Sequence, residues 1–280
     1  MIISLLTDAP KHNLALMQLS AYHKSRGDSI LFNMPLFHAD YTYASILFEK
    51  NKNAFIADEY GGSAYDGICL PESINNIFPD YTLYDTNFFS LGYTFRPCYR
   101  RCSFCKVGDM SHPDNNHHSI WEFHNPEFNM IRLLNNNTFF DKQWKETFEE
   151  IWDAGLSVID ENGYDLRLLD DKKADALKKT RWASTLHFAW DRIEDEGEVI
   201  RGLEILKKHK ICNAHIYVLI GFDTTQEQDF HRCQKIVNYG HTPYVMPYNA
   251  TKQEKRFKRF IDTFMWRKYK TLKEAWEDYK

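Results

Sequence analysis

The chain has 280 residues, which allows about two domains and a sizeable hydrophobic core. Its net charge of -4 excludes the strongly basic surface of proteins that bind nucleic acids through charge alone. No run approaches the roughly 18 apolar residues of a membrane helix, and the N-terminus lacks the basic region and cleavage site of a signal peptide. We therefore expect a cytoplasmic protein with no membrane partner and no indicated nucleic-acid partner.

The N-terminal third alternates short apolar runs with stretches of helical periodicity, which predicts a small α/β, Rossmann-like domain over residues 1–86. It contains neither a G-x-G-x-x-G motif nor a P-loop. Lys11, His12 and Asn13 lie in the first strand-to-helix loop, and we expect Asn13 near the helix N-cap. Strands are predicted at residues 2–6, 29–34, 54–57 and 67–70, and helices at residues 13–25 and 43–49.

The following region, residues 87–250, repeats strand and helix about six times. Eight such units need roughly 200 residues or more, so this pattern predicts a partial (β/α)6 barrel with parallel strands. Thr224 and Glu227 are spaced as a capping box that opens the last helix of the repeat. Residues 251–280 carry aromatic and charged side chains at near-helical spacing, which predicts C-terminal helices that close the barrel.

A cluster of cysteines follows the first strand of this repeat. Cys98, Cys102 and Cys105 are spaced C-x3-C-x2-C within eight residues. Thiolates this close repel one another unless a cation holds them, so the spacing indicates a metal centre. Three ligands leave one coordination position open, which is typical of reactive centres. The remaining cysteines, which we expect to be buried thiols, are Cys69, Cys212 and Cys233.

The residues alone are compatible with two kinds of metal centre. Zinc would bind the three cysteines together with one histidine, whereas a [4Fe–4S] cluster would bind the three thiolates alone. The context favours iron, because structural zinc usually stabilises small domains and this domain has a large core. The candidate histidines for a zinc site are His112, His117, His118 and His124.

The C-x3-C-x2-C spacing, with the aromatic Phe104 directly before the third cysteine, resembles the signature of the radical S-adenosylmethionine (SAM) superfamily. The resemblance covers residues 88–250. It implies that Cys98, Cys102 and Cys105 hold a [4Fe–4S] cluster whose fourth iron binds SAM. It further implies reductive cleavage of SAM to a 5′-deoxyadenosyl radical that abstracts hydrogen from an unidentified substrate. The expected partners are that substrate and an electron donor such as a flavodoxin or a ferredoxin.

The same resemblance implies contacts with SAM near the ends of later strands. Three of these residues have competing roles: a polar turn at Asn136, an ion pair with Asp165 or Asp191 at Arg167, and a helix cap at Asp191. The catalytic residues on the substrate side stay unassigned. The implied cofactor-binding residues are Phe104, Asn136, Arg167, Asp191, Gly221 and Met246.

Residues 12–28 resemble the leading segment of radical SAM proteins that carry a cobalamin-binding-like domain. The Asp-x-His-x-x-Gly motif that ligates cobalamin is absent, so we expect no bound cobalamin. Two other functions stay open. One is a zinc-stabilised binding module with three cysteine ligands and one histidine ligand, and the other is a non-catalytic iron–sulfur protein on a degenerate barrel.

Overall fold

The structure, a computed structural model, describes residues 1–9, 11–65, 69–85, 87–109, 115–160 and 162–279. It confirms the α/β class: parallel strand pairs alternate with helices along the chain. Two units are apparent, with unit 1 formed by Met1–Asn136 and Glu149–Leu156, and unit 2 by Asn137–Phe148 and Ser157–Lys280. The predicted domain boundaries after residues 86 and 250, the Rossmann-like domain and the barrel stay predictions.

Unit 1 contains a four-stranded parallel sheet and a second pair of parallel strands. The strand order of the sheet is β2-β1-β3-β4, and the second pair is formed by β5 and β6. The elements are β1 (Ile2–Thr7), α1 (Leu14–Ser25), β2 (Ser29–Phe32), β3 (Tyr41–Ser45), β4 (Glu59–Gly61), α2 (Glu72–Asn75), β5 (Ser90–Gly92) and β6 (Met130–Leu133).

The core of this sheet lies on both of its faces. Ile3 and Leu5 of β1 pack with Leu16 and Leu19 of α1, because the apolar stripe of the helix covers one face. On the other face, Leu6 packs with a separate small group of buried residues. The expected N-cap is confirmed, since the Asn13 side chain accepts a hydrogen bond from the backbone N–H of Leu16 at 3.2 Å.

Three predictions in the N-terminal third are wrong or incomplete. The helix predicted at residues 43–49 is wrong: residues 43–45 belong to strand β3, and residues 46–48 are coil. The alternating Tyr and Thr residues of β3 suit a pleated strand between two neighbours. Residues 54–57 form a bend and coil, and the next strand, β4, begins at Glu59. Of the strand predicted at residues 67–70, the first two residues lie outside the described residues, and Cys69 and Leu70 are not in a strand.

Unit 2 contains the larger set of strand–helix units. Its four-stranded parallel sheet has the order β12-β11-β10-β8, and β7 pairs with β9. A preceding helix, α3 (Trp144–Asp153), has residues in both units. The elements are β7 (Ser157–Ile159), β8 (Tyr164–Asp165), α4 (Asp171–Lys179), β9 (Arg181–Trp182), β10 (His187–Ala189), α5 (Glu196–Lys208), β11 (His215–Ile220), α6 (Gln226–Asn238), β12 (Thr242–Pro247), α7 (Lys252–Asp262) and α8 (Leu272–Asp278).

The C-terminal helices were predicted from aromatic spacing, and the structure confirms them. Rings of α7 and α8 pack on the inward face of α6: Phe257 lies 4.8 Å from Phe230, and Trp276 lies 5.7 Å from it, between ring centroids. This aromatic cluster stabilises the end of the chain by burial. Within the part of the chain that is described, no helix has both the length and the apolar character needed to cross a membrane.

The cap of α6 lies one residue later than predicted. Thr225, not Thr224, forms the capping box: its hydroxyl accepts from Gln228 N at 3.3 Å, and the Gln228 side chain accepts from Thr225 N at 2.8 Å. The hydroxyl of Thr224 instead donates to the buried carboxylate of Asp229 at 2.7 Å. The Thr224 hydroxyl is thus one of two donors to that carboxylate, beside the guanidinium of Arg232, and does not cap the helix.

We expect Thr225→Ala to lower the free energy of unfolding by about 1 kcal/mol, because the N-terminus of α6 loses the acceptor for one backbone N–H group. Thr225→Ser keeps the hydroxyl and should retain most of the wild-type stability. Urea unfolding followed by circular dichroism measures both variants. Equal losses in the two variants would contradict the observed cap.

Candidate functional site

The cysteine loop begins at the buried end of β5. This strand pairs in parallel with β6, and all of its residues are buried. A Cβ atom added at Gly92 would lie 2.3 Å from the ring of Phe123, so only glycine fits at this strand end. Because β5 ends there, the next residues leave the sheet at its carboxyl end, where parallel α/β folds place reactive groups.

Two asparagines of the Asn135–Asn137 run hold the backbone that enters the loop. The Oδ1 atom of Asn135 accepts from Thr94 N at 2.9 Å and from Phe95 N at 3.1 Å, and its Nδ2 donates to Thr94 Oγ1 at 2.9 Å. Asn136 Nδ2 donates to the carbonyl of Arg96 at 2.5 Å. The polar-turn role of this run is therefore observed. A contact between Asn136 and SAM stays a prediction.

The three cysteines of the loop are all partly exposed, and so is Phe104. A backbone hydrogen bond of 3.0 Å from Cys105 N to the carbonyl of Cys102 forms a tight turn. Within the described ranges, no group of three or more His, Cys, Asp or Glu side chains is gathered closely enough to hold a metal ion. Three partly exposed thiols are suitable ligands for an iron–sulfur cluster. In this structure, however, they are not close enough to one another to bind a metal ion together.

The histidines considered for zinc have other contacts. His118 Nδ1 lies 2.9 Å from Glu122 Oε2, and His124 Nδ1 lies 2.8 Å from Ser90 Oγ. Burial lowers the pKa of His124, so this ring is neutral near pH 7. His117 is partly buried, and His112 lies outside the described residues. The imidazole of His124 thus belongs to the packing around β5.

In unit 2, Arg167 is held by two carboxylates. Its Nε donates to Asp165 Oδ1 at 2.7 Å, and its Nη1 donates to Asp195 Oδ2 at 2.5 Å. Burial lowers the pKa of Arg167, but hydrogen bonds and charges of Asp165 and Asp195 outweigh it and raise that pKa. The ion pair between Arg167 and Asp165, which was the alternative to a contact with SAM, is therefore observed. Asp195 is a second ion-pair partner that the sequence did not suggest.

Asp191 follows β10 and lies against the end of β11. Its Oδ1 accepts from Leu219 N at 3.2 Å. Desolvation by burial raises the pKa of Asp191 to about 6, although that backbone bond and the positive charge of Arg232 oppose the shift. The carboxyl group does not cap the next helix, which begins after Asp195. Its role toward ribose hydroxyls stays a prediction.

Arg232 on α6 is a site residue that the sequence analysis missed. The side chain is fully buried at 0% exposure. Its Nη1 donates to the carbonyls of Trp190 at 2.9 Å and Asp191 at 2.7 Å, and its Nη2 donates to Leu219 O at 2.7 Å. The signal was the spacing of Asp229 and Arg232, which places an ion pair of 2.6 Å on the inward face of the helix.

The last two implied SAM contacts have protein neighbours in unit 2. Gly221 has φ +75°, a backbone conformation that favours glycine, and the carboxylate of Glu254 on α7 lies close to it. Met246 is paired with Leu219 across β11 and β12 and is partly buried. Their contacts with adenine stay predictions.

The remaining cysteines are only partly as expected. Cys233 is buried, and burial raises the pKa of its thiol to about 12. Cys69 is partly exposed and Cys212 is exposed, so the prediction of buried thiols is wrong for these two. Cys212 lies in the turn between α5 and β11, where Lys210 and Asn213 have positive φ values and the chain runs along the surface.

Comparison with known proteins adds no relative. The chain is matched by no family model, by no curated protein and by no solved structure.

We expect Asn135→Ala to lower the free energy of unfolding by about 3 kcal/mol, because two buried backbone N–H groups lose their acceptor. Its neighbour provides a matched control: Asn136→Ala removes one bond from a partly buried side chain and should cost about 1 kcal/mol. Chemical unfolding of the two variants measures the difference. Equal losses would show that Asn135 does not hold the loop entry.

We expect Asp191→Asn to stabilise the protein at pH 7 but not at pH 4. In the folded state the pKa is raised from 3.8 to about 6, so wild-type stability falls as the pH rises between these values. At pH 7 the variant should exceed the wild type by about 3 kcal/mol, because 1.36 kcal/mol corresponds to each pH unit. The amide oxygen can still accept from Leu219 N.

The comparison of wild type and variant at each pH cancels the titration of all other groups. Asp223→Asn, at an exposed aspartate two residues after Gly221, is the control: its carboxyl stays hydrated in the folded protein, so the substitution should change the stability little at pH 7. A gain for Asp191→Asn that is the same at pH 4 and pH 7 would contradict the raised pKa.

Proposed function

We propose that this chain is a radical SAM enzyme in which Cys98, Cys102 and Cys105 hold a [4Fe–4S] cluster. The observation that carries the proposal is the placement of three thiols, in the C-x3-C-x2-C spacing, in one short loop directly after the carboxyl end of the parallel strand β5. When bound, the cluster and SAM supply a 5′-deoxyadenosyl radical that removes hydrogen from the substrate. The substrate stays unidentified.

The residues around the loop support this role in distinct ways. The hydrogen bonds of Asn135 and Asn136 fix the backbone up to Arg96, two residues before the first cysteine. Beyond that point the loop has to draw three sulfur atoms together around a cluster. Cationic side chains within and beside the loop reduce the repulsion among the thiolates. They are Arg96, Arg100, Arg101 and Lys106.

The aromatic position of the motif is occupied by Phe104, which is partly exposed. A ring adjacent to Cys105 offers a flat apolar surface that would suit the adenine of SAM. The neighbouring cysteine is fixed by the bond from Cys105 N to the Cys102 carbonyl. This turn keeps the ring and the last two thiols in one short segment.

Two residues of unit 2 have properties that suit the assigned SAM contacts. The desolvated carboxyl of Asp191 would regain part of its lost hydration by accepting hydrogen bonds from ribose hydroxyls. Arg167 is a planar cation of fixed orientation, which suits a carboxylate. Asp165 and Asp195 compete for that guanidinium, so we assign Asp191 as the stronger candidate of the two.

The proposal is tested by anaerobic purification followed by analysis of iron, sulfide and zinc. We expect iron and sulfide in equal amounts, and we expect each of Cys98→Ala, Cys102→Ala and Cys105→Ala to lose them. Cys212→Ala is the matched control, because its exposed thiol lies outside the loop and should be dispensable. Stoichiometric zinc without iron would favour the binding module instead.

A second measurement separates an enzyme from a non-catalytic cluster protein. With SAM and dithionite, the cluster-bearing wild type should release 5′-deoxyadenosine, and the three loop variants should release none. A protein that holds the cluster but never releases 5′-deoxyadenosine would contradict the enzymatic function. Loss of iron in Cys212→Ala equal to that in Cys98→Ala would contradict the ligand assignment.

A further inference from the structure

Unit 1 contains a cavity of about 570 Å³ that the cysteine chemistry does not explain. We call it the edge cavity. It is bounded by the loop before α1 at Asn13, by the ends of β3 at Ser45 and β4 at Gly61, and by Tyr93 and Arg96 after β5. Its volume falls in the range of about 300–1,000 Å³ that is usual for sites of small organic ligands.

The edge cavity lies where a parallel sheet opens. The chain runs from β1 to β2 on one side, and then to β3 on the other side of β1. The connections that leave β1 and β3 therefore diverge, and ligands of parallel α/β sheets bind in the crevice so formed. At this point Asn13 Nδ2 donates to Ser45 Oγ at 2.8 Å, which fixes the two strand ends relative to each other.

The backbone after β4 forms a close-packed wall of this cavity. Gly62 has φ +91°, and a Cβ atom there would lie 2.3 Å from the carbonyl oxygen of Ile46. The segment therefore packs flat against the backbone that follows β3, as only glycine permits. This arrangement presents backbone, and not side chains, to one side of the cavity.

Three tyrosine rings contribute to the apolar surface of the edge cavity, together with aliphatic side chains. Tyr43, Tyr60 and Tyr93 line it. The hydroxyl of Tyr60 donates to Phe55 O at 3.2 Å and accepts from Ala57 N at 2.9 Å, and the hydroxyl of Tyr43 lies 3.3 Å from His23 Nε2. Because two of the hydroxyl groups already have protein partners, the rings face a ligand mainly with apolar surface. Such rings favour a planar ligand.

Arg96 places a positive charge in the lining of this cavity. Its Nη1 donates to Asn75 Oδ1 at 2.8 Å, and its guanidinium lies 4.2 Å from the centroid of the Tyr93 ring. Both partners are neutral, and no carboxylate forms an ion pair with Arg96 among the residues that the structure describes. The N-terminus of α1, a second positive feature, also lines the cavity at Leu14 and Ala15.

One carboxylate lines the same cavity. Glu59 on β4 accepts a hydrogen bond from the Tyr41 hydroxyl at 2.9 Å. The Tyr41 hydroxyl is a neutral donor, so Glu59 keeps its negative charge. A negatively charged group of a ligand is therefore favoured beside Arg96, whose partners are neutral, and disfavoured beside Glu59.

We propose that the edge cavity binds a small organic anion of nucleotide size, whose carboxylate or phosphate pairs with Arg96 and whose planar ring packs among the tyrosines. The binding of an anion in this cavity does not depend on the proposed function. The identification of the bound anion as the substrate of the enzyme does depend on the proposed function, because it is based on the position of Arg96 two residues before Cys98.

Isothermal titration calorimetry tests the binding with pairs of anion and neutral analogue. The pairs are adenosine and guanosine 5′-monophosphates against their nucleosides, and indole-3-acetate against indole-3-acetamide. At least one anion should bind about tenfold more tightly than its neutral partner, as a charge-assisted hydrogen bond allows. Preference for the nucleotides would identify a phosphate ligand, and preference for indole-3-acetate a carboxylate ligand.

Arg96→Gln should abolish the preference for the anion, because glutamine keeps an N–H donor for Asn75 but removes the charge. Arg26→Gln is the matched control: Arg26 also lies over a tyrosine, 5.3 Å from the Tyr22 ring centroid, but does not line the cavity. Ala15→Phe should weaken binding of anion and neutral analogue alike by filling the cavity. Circular dichroism checks that each variant is folded.

The cluster-free variant Cys98→Ala separates the two proposals, since it should bind the anion even though it cannot release 5′-deoxyadenosine. Binding by this variant supports the edge cavity whether or not the proposed function holds. No binding of any anion at millimolar concentration, or equal losses in Arg96→Gln and Arg26→Gln, would overturn the inference. Equal affinity for each anion and its neutral partner would overturn it as well.

Discussion

A single buried amide, that of Asn135, determines where the cysteine loop leaves the β5–β6 pair. Its oxygen accepts two backbone N–H groups just beyond β5, and it is itself only 3% exposed. Backbone groups buried at a strand end have no ladder partner, so a side chain has to supply the acceptor. Because that side chain follows β6, the pairing of the two strands and the entry of the loop depend on each other.

In unit 2, a buried cation is the hydrogen-bond partner of backbone groups at the ends of strands. The guanidinium of Arg232 donates to carbonyls that follow β10 and to one at the end of β11, and thereby holds α6 against both strands. A fully buried charge is costly unless acceptors surround it, and the ion pair with Asp229 provides a counter-charge. The position of Asp191 follows from this network, because its own carbonyl is one of the acceptors.

The sequence predicted the elements with strong periodicity, and it failed where long-range contacts decide. Helix α1, predicted at residues 13–25, is observed at Leu14–Ser25, since its pattern is local. Strand β3 was predicted as a helix, because only its two neighbouring strands distinguish the alternatives. The cap of α6 lies at Thr225 and not at Thr224, whose hydroxyl donates to the buried Asp229.

The candidate site shows the same division. The three cysteines could be selected from spacing alone, because ligand spacing is a local property. A polar turn was predicted at Asn136. The different roles of Asn135 and Asn136 could not be predicted, because they depend on which backbone groups beyond β5 each side chain contacts. The exposure of Cys212 was missed because an apolar neighbour such as Ile211 does not reveal that the turn lies at the surface. Arg232 was missed because its acceptors lie in other elements.

The segment from Tyr93 to Cys98 belongs to two features of unit 1 at once. Tyr93 and Arg96 line the edge cavity, while Cys98 begins the cysteine motif. Asn136 donates to the carbonyl of Arg96, so the backbone between the two features is restrained. If a ligand in the edge cavity favours one arrangement of the loop, that arrangement raises the affinity for the ligand by the same factor, because binding free energies are reciprocal.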